Sequence, residues 1–172
     1  MSSKKSQIYG QIFIYAIALI LFTIILLYGY NAIRGFKERS EQIAYIKFKT
    51  DLISTVKRIS PDFGTLKREE FFIGGDYRKI CFVRSYNKED LNVYNAVKAA
   101  IMSSADYDPF VYDSFDDKIN KNAFLFTTTL QESFDVGEIN VSNRGYECID
   151  INNGKVKIQF EGKGDHTYIS KW

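Results

Sequence analysis

The chain has 172 residues, 23 Lys and Arg against 21 Asp and Glu, and a net charge of +2 with both signs interleaved. That balance excludes the strong basic field of a nucleic-acid binder. One histidine and two cysteines exclude most metal, disulfide-framework and acid–base constellations, and the length suits one domain plus an N-terminal feature.

From Ser6 to Ile33 no residue carries a formal charge. The apolar part, Ile12 to Ile33, would span roughly 33 Å as a helix, enough for a bilayer core. The run lacks alternation and is too long for a strand. Tyr9, Tyr15, Tyr28 and Tyr30 lie near its ends, as interfacial aromatics do, and Gly29 suits a membrane helix. A conventional cleaved signal fits poorly, because the run is long and ends in Tyr-Gly-Tyr-Asn with no small-residue exit. Lys4 and Lys5 on one side nearly balance Arg34, Lys37 and Arg39 on the other, so charge alone does not orient the span.

Beyond the span, Arg34 to Ile59 contains no proline and only Gly35 near its start. Tyr45, Ile46, Leu52, Ile53, Val56 and Ile59 fall at helical spacing, with Lys49 intruding. Pro61 disfavours helix at Ser60, so one helix of about 48 residues is expected, apolar all round at first and amphipathic later. Residues 34–60 form the amphipathic continuation, and 64–172 an α+β head with a small antiparallel β-rich sheet structure.

In the head, "TLKREEFFI" and "YRKICFVRSY" flank Gly74-Gly75-Asp76 and read as a hairpin. Asn87 is placed to cap a helix with Glu89 and Asp90 in its first turn and Leu91, Tyr94, Val97 and Ile101 on one face. The stretch "DYDPFVYDSFDDKINKN" reads as a turn-rich acidic connection, followed by strands at "NAFLFTTT" and "GEINV". In "YECIDINNGKVKIQFEG", Asn153-Gly154 predicts a type I′ hairpin. Its register sets Ile151 opposite Val156, Ile149 opposite Ile158 and Asp150 opposite Lys157. Cys81 and Cys148 sit on comparable strand faces, which fits either a bridge between neighbouring strands or two buried thiols.

Chemistry is sparse. His166 reads as an exposed residue of a terminal strand. Gly162-Lys163-Gly164-Asp165 lacks the remaining residues of a phosphate loop, and no nucleophile elbow or zinc motif occurs. The carboxylates Asp106, Asp108, Asp113, Asp116 and Asp117 lack the spacing, central glycine and terminal glutamate of a calcium loop, and read as a solvated surface. No cofactor, metal or catalytic residue is expected. Asn140-Val141-Ser142 is a glycosylation sequon, of consequence only for an external head.

The start of the chain, a short leader with Lys4 and Lys5, then Gly10, then Gln11 opening an apolar helix, resembles the class III signal of archaeal type IV pilins and pilin-like proteins. That family's adhesion-pilin pattern runs Gln-x-Ser-x-Glu-x-x-x-Leu. This chain supplies Gln11 and Leu19, with Phe13 and Tyr15 at the Ser and Glu positions. The resemblance implies a cationic leader at 1–10 cut between Gly10 and Gln11 by a prepilin peptidase-like enzyme, and a transmembrane helix at 11–33. It further implies an external head and self-association of the helix into a pilus-like filament at the cell surface. The competing expectation is a permanently anchored single-pass protein whose external domain binds a partner in a cell-envelope complex. In both, the bilayer is the first partner, nucleic acid is none, and no catalysis is performed.

Overall fold

The computed structural model describes residues 4–85 and 90–172, with side chains described for these except residues 4–12, Glu38 and Asn143. Asn87 and Glu89 lie outside the described residues. The architecture is α+β: a long N-terminal helix and a small, mainly antiparallel β head with three further helices. Two compact units divide the chain, residues 1–40 and 41–172.

Helix α1 runs from Lys4 to Ile59, so helical backbone begins ahead of Gly10 and continues through the expected amphipathic stretch. Within the second unit its buried stripe is Phe48, Leu52, Val56 and Ile59, each at most 3% exposed. That is the spacing of one helix face, four, four and three residues apart. Ile46, expected on this face, is 62% exposed, while Phe48 takes the central place. Lys49 reaches back over the Phe134 ring, 5.2 Å from its centroid, so its stem packs while its charge stays outside.

The head strands form two four-stranded sheets. The first is ordered β1-β7-β8-β5, from β1 (Leu66–Phe72), β5 (Ile139–Val141), β7 (Lys155–Gly162) and β8 (Thr167–Lys171). The second is ordered β4-β3-β2-β6, from β2 (Lys79–Val83), β3 (Ala123–Phe126), β4 (Leu130–Phe134) and β6 (Tyr146–Asp150). All pairings are antiparallel except β5 with β8, which is parallel. One core gathers Phe71, Val156, Ile158 and Phe160 from the first sheet, Ile80, Phe82, Leu125 and Ile149 from the second, and the buried stripe of α1. Alternation along each strand sends these side chains into this core and turns the intervening ones to the opposite face of their sheet.

Helix α1 lies beside the edge strands of both sheets. Phe48 meets Phe71 of β1 and Phe134 of β4 edge-on, at 5.8 and 6.4 Å between ring centroids. Thr55 donates to Glu69 on β1 at 2.9 Å, and the Tyr45 hydroxyl to Glu132 on β4 at 3.3 Å. A buried bond from the Thr167 hydroxyl to the Val56 carbonyl, 2.8 Å, ties β8 to the helix as well.

On the other face of the second sheet lie helix α2 (Leu91–Ser103) and helix α3 (Pro109–Asp116), sealing Val97, Ile101, Val111 and Phe115 over Val83, Phe124 and Phe126. Asp90 caps α2, its carboxylate accepting from the backbone N–H of Asn92 and Val93 at 3.0 and 3.2 Å. The cap expected at Asn87 is therefore held by Asp90. The stretch expected to be an irregular connection contains α3, started by Asp108 as cap with Pro109 in the first turn.

Two expected hairpins are corrected. Strand β1 pairs with β7 and β2 with β3 and β6, so the segments flanking Gly74-Gly75 belong to different sheets. Gly74 has φ +73°, and a Cβ there would sit 2.9 Å from that of Ala44, so the chain turns a tight corner against the helix. The second hairpin keeps its turn, with Asn153 and Gly154 at φ 53° and 71°, and an isolated bridge between Asn152 and Lys155. Its strands then part. Asp150 stands opposite Lys79 and Lys157 opposite Glu70, in separate sheets. Ile149, Ile151, Val156 and Ile158 do share a core, as expected, but across stacked sheets. Strands β4 and β8 complete the sheets, and a short helix α4 (Ser142–Gly145) joins β5 to β6.

Candidate functional site: an apolar helix and the stapled head

Among the described side chains of the first unit, the apolar ones are largely exposed. From Phe13 to Ile33 the large ones are 41–73% exposed, Ile17 least and Tyr28 most. Fully burying each such side chain is worth about 1.5–3 kcal/mol. A dozen of them side by side far exceed the few hundred Å² of apolar patch tolerated on a soluble monomer. The helix is long and apolar enough to cross a membrane, and the apolar stretch has no buried share. The Thr23 hydroxyl, in the middle of the run, donates to the Leu19 carbonyl at 2.9 Å, so it is satisfied within the helix. The Tyr15, Tyr28 and Tyr30 rings stand outward near the ends of the run. Gly10 and Gln11 fall within the helical backbone, and the Gln11 side chain is outside those described.

In the head, Cys81 and Cys148 are joined in a disulfide. They are direct cross-strand partners of β2 and β6, on the face covered by α2 and α3. Cys81 is fully buried and Cys148 half-buried beside the Tyr146 hydroxyl, 3.3 Å away. Tyr146 donates to the Asp106 carbonyl at 2.7 Å. Burial, with the charges of Asp106 and Asp108 added, pushes its phenol well above the usual range and keeps it a donor. A bridge closing so long a stretch of chain adds about 2–4 kcal/mol to a fold. Replacing both cysteines by Ser is expected to lower the head's stability by that amount, read as a reduced urea midpoint with a steeper slope, because the unfolded chain without its cross-link exposes more surface.

The acidic residues have separate tasks. Asp106 pairs with Lys79, Asp108 caps α3, and Asp116 accepts from Lys98 at 2.7 Å and from Tyr94. Those bonds, the one from Lys98 first, hold the Asp116 carboxyl below the usual range. No group of three metal-ligating side chains gathers among the described residues. His166 lies against Asp165, Nδ1 to Oδ1 2.6 Å. Asn140 lies on β5 at the edge of the first sheet, its side-chain carbonyl accepting from the Val141 backbone N–H at 2.9 Å, and the Ser142 hydroxyl of the sequon is buried.

Where α1 meets the head, the polar pairs are tuned by their surroundings. The Tyr45 phenol is pushed up to about 12 by burial and by Glu132. Burial pulls the Glu69 carboxyl upward, but hydrogen bonds from Lys67 and Thr55 and the charges of Lys67 and Arg58 outweigh it and lower it. Both groups thus hold the protonation state their hydrogen bonds require at neutral pH. Sequence reasoning missed Phe48, Thr55 and Thr167 here; the interval Phe48-Leu52-Val56-Ile59 was the available signal. Comparison with protein families, with curated proteins and with solved structures gives no match for this chain.

Proposed function

We propose that this chain is a non-catalytic, single-pass membrane protein of the pilin-like kind. Its leader is cut between Gly10 and Gln11 by a prepilin peptidase-like enzyme, its head lies outside the membrane, and its helix packs with copies of itself into a filament. The observation that carries the reading is α1: one helix whose residues 13–33 are apolar and exposed and whose residues 48–59 are the spine of a β-rich head. An uncharged, mainly apolar surface can pass from lipid into a bundle of like helices at little cost. The Cys81–Cys148 bridge supports a head in an oxidising compartment. The test is Gly10→Asp. Wild-type chain recovered from membranes should be shorter than the variant by residues 1–10; equal lengths overturn the processing step.

One observation favours a second reading. Tyr15 stands where the adhesion-pilin pattern has Glu, so residues 11–33 carry no acid to pair with a new N-terminal amine. A permanent anchor, with the head binding a partner in a cell-envelope complex, needs no such acid. Equal lengths in the Gly10→Asp experiment would support it.

A further inference from the structure

The face of the first sheet that points away from the core is open, and its side chains form an ordered array. Register places Arg68 of β1 opposite Gln159 of β7, and Gln159 opposite Ser170 of β8. Arg68 Nε donates to Gln159 Oε1 at 2.8 Å and Gln159 Nε2 to Ser170 Oγ at 3.4 Å, a polar ladder across three strands. Beside it lies Trp172, 48% exposed, with the Arg68 guanidinium 5.8 Å and the Lys157 ammonium 5.1 Å from its ring centroid. The next row carries the Tyr168 ring, with Lys163 5.8 Å from its centroid.

The charge on this face is unbalanced. Glu70 is taken by Lys155 at 2.8 Å and Lys157 at 3.9 Å, and Glu161 by Lys163 at 2.5 Å. Arg68, Lys155, Lys157 and Lys163 thus outnumber the two carboxylates, and Arg68 commits its Nε–H to a neutral amide. A guanidinium fixed in this way keeps the rest of its planar fork for a carboxylate, and it loses less side-chain entropy on binding than a free one. The indole offers a flat apolar surface with little rotamer freedom to lose. Strands β7 and β8 are each paired on both sides, so no free backbone edge is available at the centre for an added peptide strand. What remains is a flat platform of side-chain amide, hydroxyl, guanidinium and aromatic groups.

We propose that this face binds a polysaccharide bearing carboxylates, with a sugar ring stacked on Trp172 and its carboxylate held by Arg68. The proposal needs no cleavage at Gly10 and stands or falls separately from the pilin-like reading. Trp172 is the only tryptophan of the chain, so indole emission reports from the site itself. The full chain in neutral detergent micelles is titrated with polygalacturonate, with dextran as the neutral polymer. The expected result is a saturable change in emission with polygalacturonate alone, weakened by salt. Arg68→Ala should weaken it at least about tenfold and Arg68→Lys less, with far-ultraviolet circular dichroism unchanged in both. No emission change, an equal response to dextran, or unaltered affinity in Arg68→Ala overturns the proposal. So does binding of polyglutamate or of vesicles of anionic phospholipid as tightly as polygalacturonate, which would assign the face to acidic protein or to lipid.

Discussion

Arginine at both Leu21 and Ile24 should release the chain from the membrane. Both residues are exposed, at 54% and 44%, near the middle of the apolar run. At the centre of a span each Arg costs about 2.5–3.5 kcal/mol on the insertion scale. The pair therefore removes roughly 5–7 kcal/mol from insertion, enough to shift its equilibrium by about four-thousandfold to a hundred-thousandfold. Wild-type chain should remain with the membrane after alkaline carbonate extraction, and the variant should appear in the supernatant. The head should keep its fold, since its core draws on α1 only from Tyr45 onward. A variant that stays in the membrane pellet would contradict the assignment of this stretch to lipid.

Gly162→Ala should unfold the head while leaving the apolar helix untouched. Gly162 ends β7 where the chain passes the end of α1. A Cβ there would lie 2.1 Å from the Asp62 carbonyl oxygen and 2.3 Å from that of Ile59. Both are backbone atoms and cannot swing aside, and no positive φ is involved, so the whole effect is steric. The same contact positions the hydrogen bonds from Gly64 N–H to the Gly162 carbonyl, 2.9 Å, and from Gly162 N–H to the Thr65 carbonyl, 2.9 Å. A loss above about 4 kcal/mol is expected, placing the substitution among the exceptional class and close to the whole stability of such a domain. Gly64→Ala is the comparison: its Cβ meets nothing within 4 Å, and only its φ of +81° opposes the change. That variant should lose roughly 1–2 kcal/mol. Urea unfolding followed by circular dichroism separates the two; similar midpoints would contradict this account of the β7 terminus.

How much of this was legible in the sequence varies by element. The apolar helix was, because its signal is composition and length. The end of α1 near Pro61 and the Asn153-Gly154 turn were too, because single residues with restricted or permissive φ set them. The pairing of strands was not. Alternation tells which residues of a strand face a core, and Ile149, Ile151, Val156 and Ile158 do face one. It cannot tell whether two consecutive strands lie side by side or on opposite walls of that core, since both put the same side chains in the same place. Hence the two expected hairpins became crossings between sheets, at Gly74 and at Asn153-Gly154. Helix α3 was missed although Asp108-Pro109 is a start signal, because the surrounding carboxylates pulled the reading toward a solvated loop. On α1, Ile46 was placed on the buried face and Phe48 was left out of it, while Tyr45 and Ile53 do pack against the core as expected. Of the residues singled out, Cys81 and Cys148 are brought together, Asn140 stands at a sheet edge, and Gly10 and Gln11 lie in helical backbone. The platform of Arg68, Gln159, Ser170 and Trp172 could not be read beforehand, since it exists only through the register of β1, β7 and β8.

The proposed identity rests on one peptide bond. The intact mass of the chain taken from its native membrane, with tandem sequencing of its first residues, tests it most directly. The account predicts a mature chain beginning at Gln11, with the Cys81–Cys148 bridge intact. A native chain that keeps Met1 or any part of residues 1–10 would contradict it and leave α1 as a permanent anchor.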